Sequence, residues 1–252
     1  MTDAHYHRGG YATFLSVGDR EFSFRGMHPW EAARAGRAPY QDGEYVAELR
    51  AALEADAHVG VGEIGLDRLK SRVIDPAQRA AFAAQLEVAA EFRRPVVLHG
   101  AKCWGEVVAA CRPYAGRIPA FLFHGFSRSG GLLPEIESLN GFVGVGAALL
   151  NDHAVNYRAL VKEIPAGRVL VETDADYGCD EGLAATSAAS PVLAALAAKA
   201  ATSAAPPAAG LAGAVALVAT IMRKLAEIRG VDVAELESAV EANALHFVEA
   251  LA

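Results

Sequence analysis

Histidines and carboxylates in this chain gather at the ends of short apolar runs. DAHYH (3–7) carries His5 and His7, and FSFRGMH (22–28) ends in His28. HVGVGE (58–63) ends in Glu63, PVVLH (95–99) in His99, PAFLFH (119–124) in His124 and RVLVETD (168–174) in Asp174. Imidazole nitrogen and carboxylate oxygen together form the donor set of zinc, manganese and similar divalent ions. Taken singly, each residue has a plainer reading. A histidine at a strand end is more often a hydrogen-bonded structural residue. Glu63 could pair with Arg68 or Lys70, and the acids of VETDAD could mark a helix N-terminus. It is the recurrence at the same end of successive runs that points to a cation. Glu63 is the sharpest case, because glutamate is almost never fully buried without a partner and this one ends an apolar strand hemmed in by glycines. A metal is its expected partner. His58, His153 and His246 fall outside this pattern and read as structural, and the cysteines read as buried fillers.

The elements that must position these residues follow from periodicity. GFVGVG (141–146) completes seven apolar runs, and between them lie stretches of helical pattern at about 43–56, 76–93, 104–114, 131–139 and 152–164. Strand alternating with helix predicts a parallel sheet. The expected class is α/β, a distorted TIM-type barrel of about seven parallel strands with C-terminal helices. In such a barrel the C-terminal strand ends share one face, where active sites form. Asp75-Pro76 is a helix start, with an N-cap side chain followed by proline at the first helical position. Asp232 with Glu235 resembles a capping box, and Leu236, Val240, Phe247 and Leu251 then share one face. The whole chain, 1–252, reads as a single domain, with an alanine-rich helical or loop insertion over 183–219.

Composition narrows the function classes. The chain has 252 residues, enough for one closed α/β domain. Its three cysteines show no CxxC spacing, which predicts a reducing, cytoplasmic setting. The N-terminus has no apolar h-region, and the longest apolar run, 211–222, is too short to span a bilayer. A net charge of −7 argues against a broad nucleic-acid-binding surface, since such binding rests on many cation–phosphate contacts. A nucleic acid gripped locally through a metal remains compatible with it.

The motifs DAHYH, GMHPW, GEIGLD, PVVLHGAK, FHGF and VETDA, in that order, resemble the TatD-like metal-dependent hydrolases of the amidohydrolase superfamily. The resemblance covers about residues 3–176, with a weaker echo in Asn243 and Phe247. It implies a distorted TIM barrel, one or two divalent ions (zinc, magnesium or manganese) and nuclease activity. Carried over by position, it implies that His5 and His7 bind one ion with Asp174, that Glu63 bridges, and that His99 and His124 complete the second ion's shell. Asp174 would also orient or deprotonate the attacking water, and His28 would face the substrate. Lys102 and Arg128, just past strand ends, are cations able to meet phosphate oxygens. Ala101 stands where the family has arginine, and Asp176 where it has proline. The stretch from His7 to His28 is short, so a helix and a strand look missing there, as in a shorter subgroup. The expected reaction is hydrolysis of phosphodiesters at the ends of single-stranded DNA or RNA. The alternative is a metal-dependent amidase or esterase acting on a small molecule.

Overall fold

The structure is a computed structural model that describes residues 1–7, 13–34, 44–69, 72–127, 130–175 and 211–252. Among the described residues are eight strands: β1 (Thr2–His7), β2 (Thr13–Val17), β3 (Arg20–Arg25), β4 (Gly60–Asp67), β5 (Val96–Ala101), β6 (Phe121–Phe123), β7 (Gly141–Val145) and β8 (Val169–Val171). The helices are α1 (Pro29–Arg34), α2 (Glu44–Ala55), α3 (Pro76–Phe92), α4 (Trp104–Cys111), α5 (Leu133–Ser138), α6 (Val155–Glu163), α7 (Leu211–Arg229) and α8 (Val233–Phe247). The strand count is one above the sequence expectation. The added strand is β2, inside the stretch that looked too short to hold one. The alanine-rich tract lies outside the described residues up to position 210, and its last part opens α7. Two compact units emerge: Met1–Glu21 with Gly144–Ala244, and Phe22–Val143 with Leu245–Ala252.

In the Phe22–Val143 unit, β3 to β7 pair in parallel and in sequence order. All eight residues of β4 are buried, as expected of a parallel strand covered on both faces. The β4–β5 ladder matches Val61 with Val96 but Ile64 with Leu98, so β4 carries one extra residue at Gly62-Glu63. Such a bulge re-aims a side chain, here that of Glu63. The strand then runs on to Asp67 rather than stopping at Glu63. Gly65 makes this pairing possible: at φ +151° a Cβ there would stand 2.0 Å from the His99 carbonyl oxygen. On α3, Asp75 Oδ1 accepts from Ala77 N at 2.8 Å, the expected N-cap. Its inner face presents Ala81, Phe82, Leu86 and Ala89, together with two glutamines, Gln78 and Gln85. Near the C-terminus, Phe247 stacks on Phe24 at 5.9 Å.

In the other unit, β1 and β2 form an antiparallel hairpin. Asp3 faces Ser16 and Tyr6 faces Phe14, so β1 also carries one extra residue, at Ala4-His5. The end of β8 joins β1 through Asp174 N–H to His5 O (3.0 Å) and His7 N–H to Ala175 O (2.7 Å). Asn243 donates to Ala166 O and Val169 O, both at 2.8 Å, and so ties α8 to the start of β8. Arg229 at the end of α7 donates to Val161 O and Ile164 O, satisfying carbonyls at the end of α6. Asp232 caps α8 through Ala234 N and Glu235 N.

A Gly65→Ala variant must part β4 from β5 as well as hold an unfavourable φ, costing about 3 kcal/mol. A urea melt read by circular dichroism should show the midpoint falling accordingly. An unchanged midpoint would show that the two strands can separate freely here.

Candidate metal centre

In the Phe22–Val143 unit, four strand ends deliver one cluster. Glu63 comes from the bulge in β4, His99 from β5, His124 from just past β6, and His28 from the loop three residues beyond β3. Glu63 is only 3% exposed, and its Oε1 is the shared point. His99 Nδ1 lies 2.7 Å from it, His124 Nε2 3.1 Å and His28 Nε2 3.8 Å. His99 Nε2 meets a second carboxylate, Asp67 Oδ2, at 2.9 Å. Burial disfavours a charged His99, but the Glu63 charge and the hydrogen bonds to Asp67 and Glu63 outweigh it and raise its pKa. Burial likewise works against the Asp67 carboxylate, and the hydrogen bond from His99 overcomes it, so that pKa is lowered. Trp30 N–H donates to His28 Nδ1 at 3.1 Å. A neutral His28 therefore carries its proton on Nε2, and that N–H points at the cluster.

In the other unit, β1 and the end of β8 bring His5, His7 and Asp174 together. The two rings meet edge-on at 4.7 Å, and their Nε2 atoms lie 3.5 and 3.4 Å from Asp174 Oδ1. Donor atoms bound at about 2.0–2.1 Å around a tetrahedral ion stand roughly 3.4 Å apart, so this spacing fits a cation. Asp174 has φ +54°, a left-handed conformation that Asp and Asn tolerate better than most residues. Asp3, fully buried, holds the junction: it accepts from Thr173 N at 2.9 Å and from Thr173 Oγ1 at 2.7 Å.

The ligand atoms of His5, His7 and Asp174 lie within 4.8 Å of one another, as do those of His28, Glu63 and His99, where His28 presents an N–H and not a lone pair. The donor set in each is the imidazole–carboxylate mixture that divalent cations prefer. Lys102 is exposed just past β5 with φ +58°, and its carbonyl accepts from Arg68 at 2.6 Å. Arg128 lies outside the described residues. The histidines set aside as structural behave so where they are described in detail: His58 bonds to Leu251 O at 2.6 Å, and His246 packs edge-on against Phe142 at 5.4 Å. Sequence reasoning overlooked Asp3 and Asp67. The signal was present, since Asp3 shares strand parity with His5 and His7, and Asp67 with Glu63.

Strand ends that gather imidazoles and carboxylates in this way make a candidate site for divalent cations. Comparison with known proteins places the chain more narrowly. The family model of TatD related DNase matches residues 11–249, and the chain belongs to that family. The matched span contains His28, Glu63, His99, His124 and Asp174; His5 and His7 precede it. The chain is similar to the 3'-5' ssDNA/RNA exonuclease TatD of Edwardsiella piscicida, 35% identical over 153 residues, 60% of this chain and 56% of the relative. The corresponding protein of Pectobacterium carotovorum is 33% identical, over 62% of this chain and 58% of that one. The chain thus spans somewhat over half the length of these curated relatives. Among solved structures, the TatD homologue YJJV of Escherichia coli K12 aligns with a TM-score of 0.62 at 22% identity, over 90% of this chain and 76% of that one. An amidohydrolase of Saccharomyces cerevisiae aligns with a TM-score of 0.64 at 19% identity, over 88% and 78%. These likenesses show the fold, an α/β structure of TIM-barrel type. Among the described residues no helix is long and apolar enough to cross a membrane.

Asp3→Ala leaves the Thr173 amide and hydroxyl buried without their acceptor, at a cost of about 3 kcal/mol. Thermal unfolding should register a clear drop in Tm. A Tm equal to wild type would mean that Asp3 does not hold the β1–β8 junction.

Proposed function

We propose that the chain is a single-domain, metal-dependent phosphodiesterase that removes nucleotides from the ends of single-stranded DNA or RNA. The observation that carries this reading is the pair of imidazole–carboxylate triads in a chain of the TatD related DNase family, whose relatives at 33–35% identity are named ssDNA/RNA exonucleases. His5, His7 and Asp174 would hold one divalent ion, and Glu63, His99 and His124 a second. Zinc, manganese and magnesium are the candidates. Divalent ions held there supply an acidified water and neutralise phosphate charge.

The chain's own groups supply the rest. Asp174 accepts a proton from the attacking water. His28, with its Nε2–H turned inward, donates to a phosphate oxygen; the exposed Lys102, and Arg128 by its place in the sequence, are the cations for flanking phosphates. An acidic chain with 8% aromatic residues offers neither a basic track nor a long stacking platform. A short grip on a strand end suits that balance. Two buried free thiols, Cys103 and Cys111, suit a reducing, cytoplasmic setting.

Asp174→Asn keeps a side chain that tolerates the left-handed backbone but supplies no base. Turnover should fall by roughly a hundredfold or more with the urea midpoint unchanged. Wild-type turnover in a variant of verified metal content would move the base elsewhere.

The substrate is tested by digesting end-labelled single strands, duplexes and closed circles with metal-loaded protein. Linear single strands should shorten from one end while circles persist. Circles lost as fast as linear strands would refute the end-directed mode. Turnover of an amide or ester panel with no nucleic acid cleaved would give the site to small-molecule hydrolysis. Chelation should abolish activity in either case.

A further inference from the structure

We propose that Gln78 and Gln85 of α3 are two separate positioning residues, Gln78 for the metal-side His99 and Gln85 for the substrate-side His28. The proposal rests on the metal-site reading above and adds to it how the histidines are aimed. The two glutamines are seven residues apart, close to two full turns, and so project from one face of α3. Both are buried, at 6% and 1% exposure. A buried primary amide has to satisfy its hydrogen bonds, whereas an apolar side chain of similar length would pack there with no such demand. What each amide holds is therefore informative.

Gln85 grips both main-chain groups of Met27, the residue before His28. Its Oε1 accepts from Met27 N at 2.7 Å and its Nε2 donates to Met27 O at 3.2 Å. Tyr45 O–H donates to the same Oε1 at 2.9 Å. Burial first, then Glu31 and Glu48, push the Tyr45 phenol far above its usual range, so it stays a donor. With two donors on Oε1 the amide has only one orientation. The turn that presents His28 is thus clamped from the helix side.

Gln78 acts on the other arm. Its Oε1 accepts from Asp67 N at 2.8 Å. Asp67 Oδ1 is engaged by Leu69 N at 2.7 Å, which leaves Oδ2 for His99 Nε2 at 2.9 Å. With Nε2 committed to Asp67, the ring turns Nδ1 toward Glu63. A histidine that ligates through one nitrogen commonly donates from the other to a carboxylate, and loss of that partner typically costs 10- to 100-fold in metal affinity. α3 is therefore a common ruler with two independent grips.

Gln78→Met and Gln85→Met keep chain length and remove the hydrogen bonds. Each full-length protein is stripped with chelator and titrated with Mn²⁺ by calorimetry. Turnover of a chromogenic phosphodiester is then measured at saturating metal. Gln78→Met should weaken Mn²⁺ binding by roughly 10- to 100-fold. Gln85→Met should leave Mn²⁺ affinity within about twofold and lower kcat by roughly tenfold or more, the scale of misplacing a reacting group. If Gln78→Met does not fold, Asp67→Asn interrupts the same chain of contacts and should show the same loss of affinity. Equal losses of metal binding in both variants would overturn the separation of roles. Lowered Tm with unchanged affinity and kcat would reduce both glutamines to packing. A wild-type chain that binds no Mn²⁺ would sink the site reading, and this proposal with it, before any variant is compared.

Discussion

A carboxylate sealed from water needs positive charge beside it, and Glu63 imposes that requirement on everything around it. An ionised group left alone in such surroundings is costly enough that it would take up a proton instead. Three imidazoles from three different strand ends are arranged about one of its oxygens, and a cation held among them would answer the demand. Each histidine belongs to a separate β/α step, so the cluster exists only when the parallel ladder from β3 to β6 has its native register. Local propensity alone could not assemble it.

The second triad is organised on another principle. His5 is fully buried and His7 nearly so, but the Asp174 side chain is 53% exposed. Here the precision comes from the backbone. Asp3 fastens the end of β8 to β1, and a left-handed residue turns its carboxylate toward the two rings. One cluster is thus fixed by burial and the other by hydrogen-bonded main chain. The first is largely shielded from solvent, while the second meets it through the Asp174 carboxylate.

Much of this was legible in the sequence. The helices over 44–55 and 76–92 and the caps at Asp75 and Asp232 follow from periodicity and end signals. The His and acid positions follow from where the apolar runs stop. What was hidden has a common cause. β2 was missed because TFLSV is short and lies in a segment bracketed by charged and glycine residues. The continuation of β4 to Asp67 was missed because the glycines of GEIGLD read as an end rather than as room for a neighbouring strand. Pairing register is a property of two strands at once, and a period-two pattern in one of them does not report it. The supporting roles of Gln78 and Gln85 were hidden for the same reason, since their partners lie 11 and 58 positions away.

Two of the strands that carry candidate ligands, β1 and β4, hold one residue more than the neighbour they pair with. The direction in which His5 and Glu63 point is therefore written in chain length as well as in chemistry. Keeping the count is as necessary to their aim as keeping the glycines that let the strands close. Removing a single residue from 60–64 would restore a regular ladder and turn Glu63 out of register, although every ligand would still be present in the sequence. Among relatives of this chain, spacing within these two short segments is thus a criterion of a working centre alongside the ligands themselves.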